Sequence, residues 1–277
     1  MRFKLTLKVR SDFAGYDLLP INYQFDLSEW VASSFNSPDE TGFQEFLQNH
    51  KLVNNEKIFR FYSFSNLLIP KYKLIGDRLQ ILSNDVYFYL SIFPVSGIDN
   101  FVPLLFKGKT ITLEDKKSRT IFTVENVERM REHEFSNEII FRSMSPILVC
   151  YKDNSAIRYT EYMFPKGEKY NELFFSDLIQ KIKATRSFLP RSFVENISLE
   201  NKIEEWQKTI SSFKLEVLGS PKSRYVTVRT NPATTMQLRG YLFPFKIKAP
   251  KELILIGYFL GFGEENTLGF GYCEING

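Results

Sequence analysis

His50 and His133 are the only histidines in a chain of 277 residues, and Cys150 and Cys273 are the only cysteines. An imidazole titrates near neutrality, so these two histidines are the natural candidates for moving a proton at physiological pH. They stand far apart in the chain. His133, within Arg131-Glu132-His133-Glu134, reads as solvent-exposed. Both cysteines fall in apolar, strand-like surroundings and read as small buried hydrophobes. This inventory argues against a zinc enzyme of the His/Cys kind and against a disulfide framework, so no metal and no cofactor is expected.

A second kind of chemistry lies near the C-terminal end, in Gly261-Phe262-Gly263-Glu264-Glu265-Asn266-Thr267-Leu268-Gly269-Phe270-Gly271. Two Gly-Phe-Gly triplets flank a polar spacer directly after the apolar run 253–260. Glycine loses more backbone entropy on folding than any other residue, so four of them here require φ > 0 or a close backbone approach. A row of bare N–H groups would bind an anion, phosphate foremost; the same pattern also serves a plain turn or bulge. Upstream, between Lys214 and Lys251, eight basic residues (Lys214, Lys222, Arg224, Arg229, Arg239, Lys246, Lys248, Lys251) stand against one acid, Glu216. That local +7 exceeds the net +4 of the whole chain. Interleaved with Tyr225, Tyr241, Phe243 and Phe245, it offers cations for phosphates and rings for bases.

The elements that must position these groups follow from periodicity. Residues 2–10 alternate, with Phe3, Leu5, Leu7 and Val9 on one face and Arg2, Lys4, Thr6, Lys8 and Arg10 on the other. This is an amphipathic strand whose cationic face meets solvent or lines a polyanion path. Asn22 caps a helix running to about Phe35, and a short second helix from Thr41 through Phe43, Phe46 and Leu47 ends near His50. Strands are expected over 59–64, 79–93, 120–130 and 139–144, with a helix over 99–107. The first half, 1–145, thereby reads as the split βαβ pattern of a ferredoxin-like domain. In 146–277, helices over 169–186 and 199–212 and strands over 213–218, 225–229, 237–248 and 271–275 suggest a more elaborate copy of the same plan. The fold class is α+β. At 43% hydrophobic residues with 27 Phe and 14 Tyr, the chain has the material for a sizeable core. The N-terminus alternates where a signal peptide would be continuously apolar, and no apolar run approaches the roughly 18 residues of a membrane span. A cytoplasmic protein without a membrane partner is expected.

The run Ile256-Gly257-Tyr258-Phe259-Leu260 leading into the double Gly-Phe-Gly closely resembles the signature loop of the CRISPR-associated RAMP endoribonucleases, and best of all the "Cas-six" family. The opening basic strand, Leu19-Pro20-Ile21-Asn22-Tyr23-Gln24, the Phe46-Leu47 helix before a strand from Lys57 to Phe64, and Phe141-Arg142-Ser143-Met144-Ser145-Pro146 sit in that family's order. The resemblance covers essentially the whole chain. It implies two tandem ferredoxin-like (RRM-like) domains, 1–145 and 146–277, with CRISPR repeat RNA in a basic cleft between them. On this reading Lys4, Arg224, Arg229, Arg239, Lys246 and Lys248, with Gly261, Gly263, Gly269 and Gly271 of the loop, contact RNA. The reaction implied is metal-independent attack of a ribose 2′-OH on the adjacent phosphate within the repeat of a precursor transcript.

Such a cleavage needs a base, an acid and a cation. By the family's pattern, His50 takes the acid–base part and Lys57 stabilises charge, with Lys51 a neighbouring lysine. In many relatives the histidine directly follows the Phe-Leu of the second helix; here Gln48 holds that place and His50 comes two residues later. A tyrosine that some relatives carry on the first helix corresponds to Ala32, with Tyr23 as a distant substitute. The alternative is therefore a noncatalytic or weakly catalytic repeat-binding protein, or an effector-complex subunit, of the same fold. Other CRISPR-associated subunits are then further partners, and the chain is a monomer or a homodimer. Gly269-Phe270-Gly271-Tyr272-Cys273-Glu274-Ile275 also partly resembles the RRM motif whose aromatic rings stack bases.

Overall fold

The computed structural model describes residues 1–10, 17–35, 52–54, 57–94, 101–153, 159–185, 199–231 and 234–276, with the backbone alone at 52–54, 57–59, 153, 159 and 230–231. The first half runs β1 (Arg2–Val9), β2 (Leu18–Pro20), α1 (Gln24–Phe35), β3 (Leu52–Asn54), β4 (Lys57–Phe59), β5 (Tyr62–Phe64), β6 (Tyr72–Ile75), β7 (Arg78–Ile81), β8 (Asp85–Ile92), α2 (Phe101–Phe106), β9 (Thr110–Glu114) and β10 (Arg119–Arg129). The second runs β11 (Glu138–Ser143), β12 (Cys150–Asp153), β13 (Tyr159–Tyr162), α3 (Tyr170–Thr185), α4 (Leu199–Lys208), β14 (Lys214–Val217), β15 (Lys222–Asn231), β16 (Thr234–Leu242), β17 (Pro244–Lys248), α5 (Lys251–Leu260) and β18 (Cys273–Ile275).

Each half is built on one antiparallel sheet. The first is ordered β5-β8-β1-β10, with β9 added beyond β10; the second is ordered β14-β17-β11-β18. Counting only these strands along the chain, both sheets read second-third-first-fourth. In both, one helix or helix pair joins the first strand to the second, and another joins the third to the fourth. Alternation explains the strands: Phe3, Leu5 and Leu7 of β1 are fully buried beneath Leu27, Val31 and Phe35, which recur every four residues along α1. Phe174, Leu178 and Ile182 repeat the device on α3 over the second sheet.

Three expected strands divide, and a fourth joins the second sheet. The run 59–64 is split between β4 and β5, and 79–93 between β7 and β8, each pair belonging to two different sheets. The run 237–248 breaks at Phe243, whose N–H donates a hydrogen bond to Ser143 Oγ (2.7 Å) as the chain passes from the β15–β16 hairpin into the second sheet. β11, expected as the last strand of the first half, pairs with β17 and β18. The second sheet thus starts at Glu138, ahead of the boundary at 145. Among the described residues no helix is long and apolar enough to cross a membrane. The apolar run after Pro250 is α5, buried almost all round because it packs on the second sheet and against β5 and β8 of the first.

Arg2 fastens the two halves. Alternation puts it on the cationic face of β1, yet it is 3% exposed. Its guanidinium lies 3.3 Å from the Tyr258 ring centroid and 4.2 Å from that of Tyr272. It donates to Cys273 O (2.6 Å) and to Tyr258 O. Ser63 and Ser91 add hydrogen bonds to the carbonyls of Phe259 and Tyr258, and Tyr89 stacks on Tyr272. Alternation predicts which side of a sheet a residue takes, but not that the other half of the chain covers that side.

The glycine-rich loop is the second fastener. Phe262 enters the core of the second half, stacked on Phe174 with ring centroids 5.7 Å apart, and fits because Gly257 leaves no side chain in its way. Phe270 fills a small separate core under the β15–β16 hairpin with Leu148, Val226, Val228 and Leu238. All four loop glycines have positive φ and are buried. A β-carbon at Gly263 would lie 2.3 Å from Leu148 O, and one at Gly271 would lie 2.1 Å from Phe262 O. Lys181 of α3, 1% exposed and paired with Asp177 (2.7 Å), donates to the carbonyls of Gly261 (2.7 Å) and Gly263 (2.6 Å). From the first half, Gln24 Nε2 donates to Gly269 O at 2.5 Å.

Arg2→Ala removes two charge-assisted hydrogen bonds, one from each of two buried carbonyls. It is expected to lower the unfolding free energy by about 3 kcal/mol, read from urea transitions, whereas Lys8→Ala on the exposed part of the same strand is expected to cost less than about 1 kcal/mol. Gly263→Ala combines left-handed backbone strain with overlap on a backbone oxygen and is expected to cost about 3 kcal/mol. Gly219→Ala isolates the strain, because φ there is +84° but a β-carbon meets nothing within 4 Å; about 1 kcal/mol is expected.

Candidate nucleic-acid interface

The expected anion nest is not open. Of the loop's amides, Phe262 N–H donates to Gly271 O, Glu264 N–H to Leu148 O, Gly269 N–H to Asn266 O and Gly271 N–H to Pro146 O, all between 2.7 and 3.1 Å. With the four glycines buried, Gly261, Gly263, Gly269 and Gly271 hold the loop against its neighbours instead of lining a surface. Only the polar spacer reaches solvent, and there Glu264 is engaged by Lys152 (3.1 Å) and Cys150 Sγ (3.1 Å). Phe270 and Tyr272, which the RRM comparison would put on a stacking surface, are fully buried.

The basic residues divide into two groups. Lys246 and Lys248 stand on the outer face of the second sheet, where β11 brings Glu138 to within 2.5 Å of Lys246 and 3.9 Å of Lys248. The hydrogen bond from Lys246 holds the Glu138 carboxyl below its usual pKa. Glu216 sits opposite Lys246 on β14 as well. These carboxylates offset much of that face. Arg224, Arg229 and Arg239 lie elsewhere, on the β15–β16 hairpin, which reaches over to α1. Arg229 pairs with Asp26 of α1 at 3.0 Å and lies 5.7 Å from the Phe25 ring. Desolvation raises the Asp26 pKa against the pull of Arg229. Arg239, directly across from Tyr225, lies 5.5 Å from the Tyr225 ring and 5.1 Å from the Tyr241 ring, with its Nε on Ser223 Oγ. Lys4 projects from β1 over the Tyr87 ring at 4.3 Å, while Lys8 is paired with Asp85. The β1 face is therefore not a continuous cationic track.

Between the hairpin and the first half lies a cleft of about 390 Å³. Arg224 and Tyr225 form one wall; Tyr23, Asn66, Tyr72 and Leu74 contribute to the other. Tyr72, Leu74 and Tyr225 are more than half exposed, an unusual concentration of open apolar side chains. Tyr72 and Leu74 belong to the β6–β7 hairpin, a feature that sequence reading passed over. Its signal was the Gly76-Asp77 turn, with Gly76 at φ +58°, between two short alternating runs. The Tyr23 hydroxyl accepts a hydrogen bond from Leu67 N–H (3.0 Å), and burial pushes its pKa up to about 12. It is neutral at pH 7 and is no base.

His50, Lys51 and Gln48 lie outside the described residues, as does the short helix expected from Thr41. Of Lys57, the backbone is described, at the start of β4 in the β3–β4 hairpin. That hairpin runs along α3, the helix whose Lys181 holds the glycine-rich loop. Ala32 is a partly buried residue of α1.

Comparison with known proteins agrees with this architecture. Residues 130–275 match the family model described as CRISPR-associated protein Cas6, C-terminal, a segment that begins just ahead of β11. A CRISPR-associated endoribonuclease-like protein, Cas6nc, of Pyrococcus horikoshii is 24% identical over 93% of this chain and 93% of its own length. The CRISPR-associated endoribonuclease Cas6 1 of Methanocaldococcus jannaschii is 24% identical over 98% of this chain and 92% of its own. Among solved structures, a Cas6-related protein from Pyrococcus furiosus superposes with a TM-score of 0.74 at 22% identity, covering 100% of this chain and 98% of that one. A RAMP protein described as binding different RNA substrates superposes at 0.73 and 22% identity, with both chains fully covered. With more than half of its length matched by the family model, the chain belongs to the CRISPR-associated Cas6 family.

Proposed function

We propose that this protein processes CRISPR precursor RNA, cutting within each repeat without a metal ion. The ribose 2′-oxygen attacks the adjacent phosphorus, the bond to the 5′ oxygen breaks, and the products are a 2′,3′-cyclic phosphate and a 5′-hydroxyl. His50 exchanges the proton on one side of this reaction, and Lys57 offsets the charge that builds on the phosphoryl oxygens. We read each half, with its second-third-first-fourth sheet, as a ferredoxin-like domain.

The observation that carries the RNA reading is the hairpin and its cleft. Arg224 and the open ring of Tyr225 line the cleft toward the first half, and Arg239 lies beside that ring on the neighbouring strand, a combination that suits an unpaired polynucleotide. The family to which the chain belongs, and relatives named as endoribonucleases, support cleavage. One specific observation favours a second reading. Gln48 stands where many relatives have histidine, so a repeat-binding subunit without efficient cleavage is the alternative.

Two experiments test these readings. The purified protein is expected to cut its repeat RNA in EDTA; His50→Ala is expected to slow cutting by about 10²-fold or more while binding survives. A 2′-deoxy nucleotide at the cut should abolish the product. Undiminished cleavage by His50→Ala would remove that residue from the mechanism, and tight binding with no product would establish the alternative. For binding, Arg224→Ala and Arg239→Ala are each expected to reduce the slope of log affinity against log salt by about one. Lys246→Ala, whose charge is already shared with Glu138, is expected to change it less.

A further inference from the structure

Resting on the RNA reading above, we propose that the cleft between the β6–β7 and β15–β16 hairpins holds one unpaired nucleobase of the repeat, with Asn66 hydrogen-bonded along the edge of the base. The decisive group is Asn66. Its backbone is committed on both sides, N–H to Met144 O (3.3 Å) and O to Ser65 Oγ (2.7 Å). Asn66 lines the cleft, and its side-chain oxygen is shielded from solvent and accepts no hydrogen bond. A buried amide oxygen without a donor costs on the order of 1–3 kcal/mol, and such an atom in a native fold calls for a partner from outside the chain. A carboxamide offers an acceptor and donors in one plane, the arrangement that pairs with a base edge.

The rest of the cleft fits the same ligand. Tyr72 at 55% and Tyr225 at 54% exposure provide rings at its mouth, and Leu74 at 60% adds apolar surface. Each would be better covered by a flat, weakly polar ring than by water. Arg224 on the same rim is solvent-exposed, the position for a charge that meets a phosphate. About 390 Å³ accommodates one nucleotide and not a duplex. An aliphatic ligand would leave the Asn66 oxygen unsatisfied, and a bare anion would leave the apolar walls open.

The test pairs changes in the RNA with changes in the protein. The full-length chain and its repeat RNA are used, with an abasic site introduced at each repeat position in turn and affinity read by fluorescence anisotropy. One position is expected where loss of the base weakens wild-type binding by about 10-fold but leaves Asn66→Ala and Tyr225→Ala, already weakened by a similar factor, almost unchanged. Tyr225→Ala alters an exposed ring, so it remains informative if Asn66→Ala unfolds, which a thermal melt reports. Tight wild-type binding with no position coupled to either substitution would overturn the cleft and leave the RNA reading intact. Absence of any repeat binding by the wild type would overturn the RNA reading itself.

Discussion

A buried peptide group must find a hydrogen-bonding partner, and the glycine-rich loop buries several of them where the two halves meet. Its carbonyls are taken by Lys181 from α3 and by Gln24 from α1. Its amides go to Pro146, Leu148 and the loop itself, and Tyr272 N–H goes to Ser145 Oγ. Partners drawn from both halves leave little freedom in how the halves dock. Burying the Lys181 ammonium is tolerable because Asp177 lies beside it and two carbonyls complete its donors. The loop carries Phe270 as well, and the β15–β16 hairpin rests on that ring. The surface proposed for RNA is thus positioned by a loop whose own amides face inward.

Charge counted along the chain and charge met in space differ here for a definite reason. The stretch 214–251 holds one acid, but strands pair with whatever the fold brings beside them. Glu138 comes from β11 and Asp26 from α1, each far outside that stretch. Coulomb attraction at 2.5–3.0 Å outweighs any longer-range field from the same lysines and arginines. What remains is a smaller cationic surface at Arg224 and Arg239, adjoining aromatic rings. For stacking an unpaired strand, that combination matters more than a large net charge.

Elements with a clear period were legible from sequence: β1 from strict alternation, and α1 and α3 from apolar residues every three or four positions. The four special glycines were also legible, though not their purpose. Positive φ serves a tightly packed loop as well as an anion nest, and only the neighbours of Gly263 and Gly271 decide between them. The breaks between β4 and β5 and at Phe243 were hidden because aromatic residues continue on both sides of them; each side feeds a different sheet. Arg2 looked like any outward cation on a half-buried strand. Nothing local in 1–10 says that Tyr258 and Tyr272 will close over it. Of the residues expected to do chemistry, His50 rests on its imidazole and on family resemblance, and Lys57 is located only through its backbone.

The two sheets share one strand order, and neither supplies the cleft. Its walls come from β6–β7 with the segments 21–24 and 66–69 in the first half and from β15–β16 in the second, all outside the two repeated sheets. A common framework with dissimilar insertions is how one fold acquires a particular site. Because each half provides one wall, the width of the cleft depends on how the halves are docked. That docking is set by Arg2 between two tyrosines and by the Lys181-anchored loop, both buried and neither available to RNA. A ligand gripped between two walls loses affinity when they move, since each binding event must then restore their spacing. The buried fasteners therefore bear on recognition through preorganisation, which accounts for four strained or crowded glycines and a buried arginine that do not themselves line the cleft.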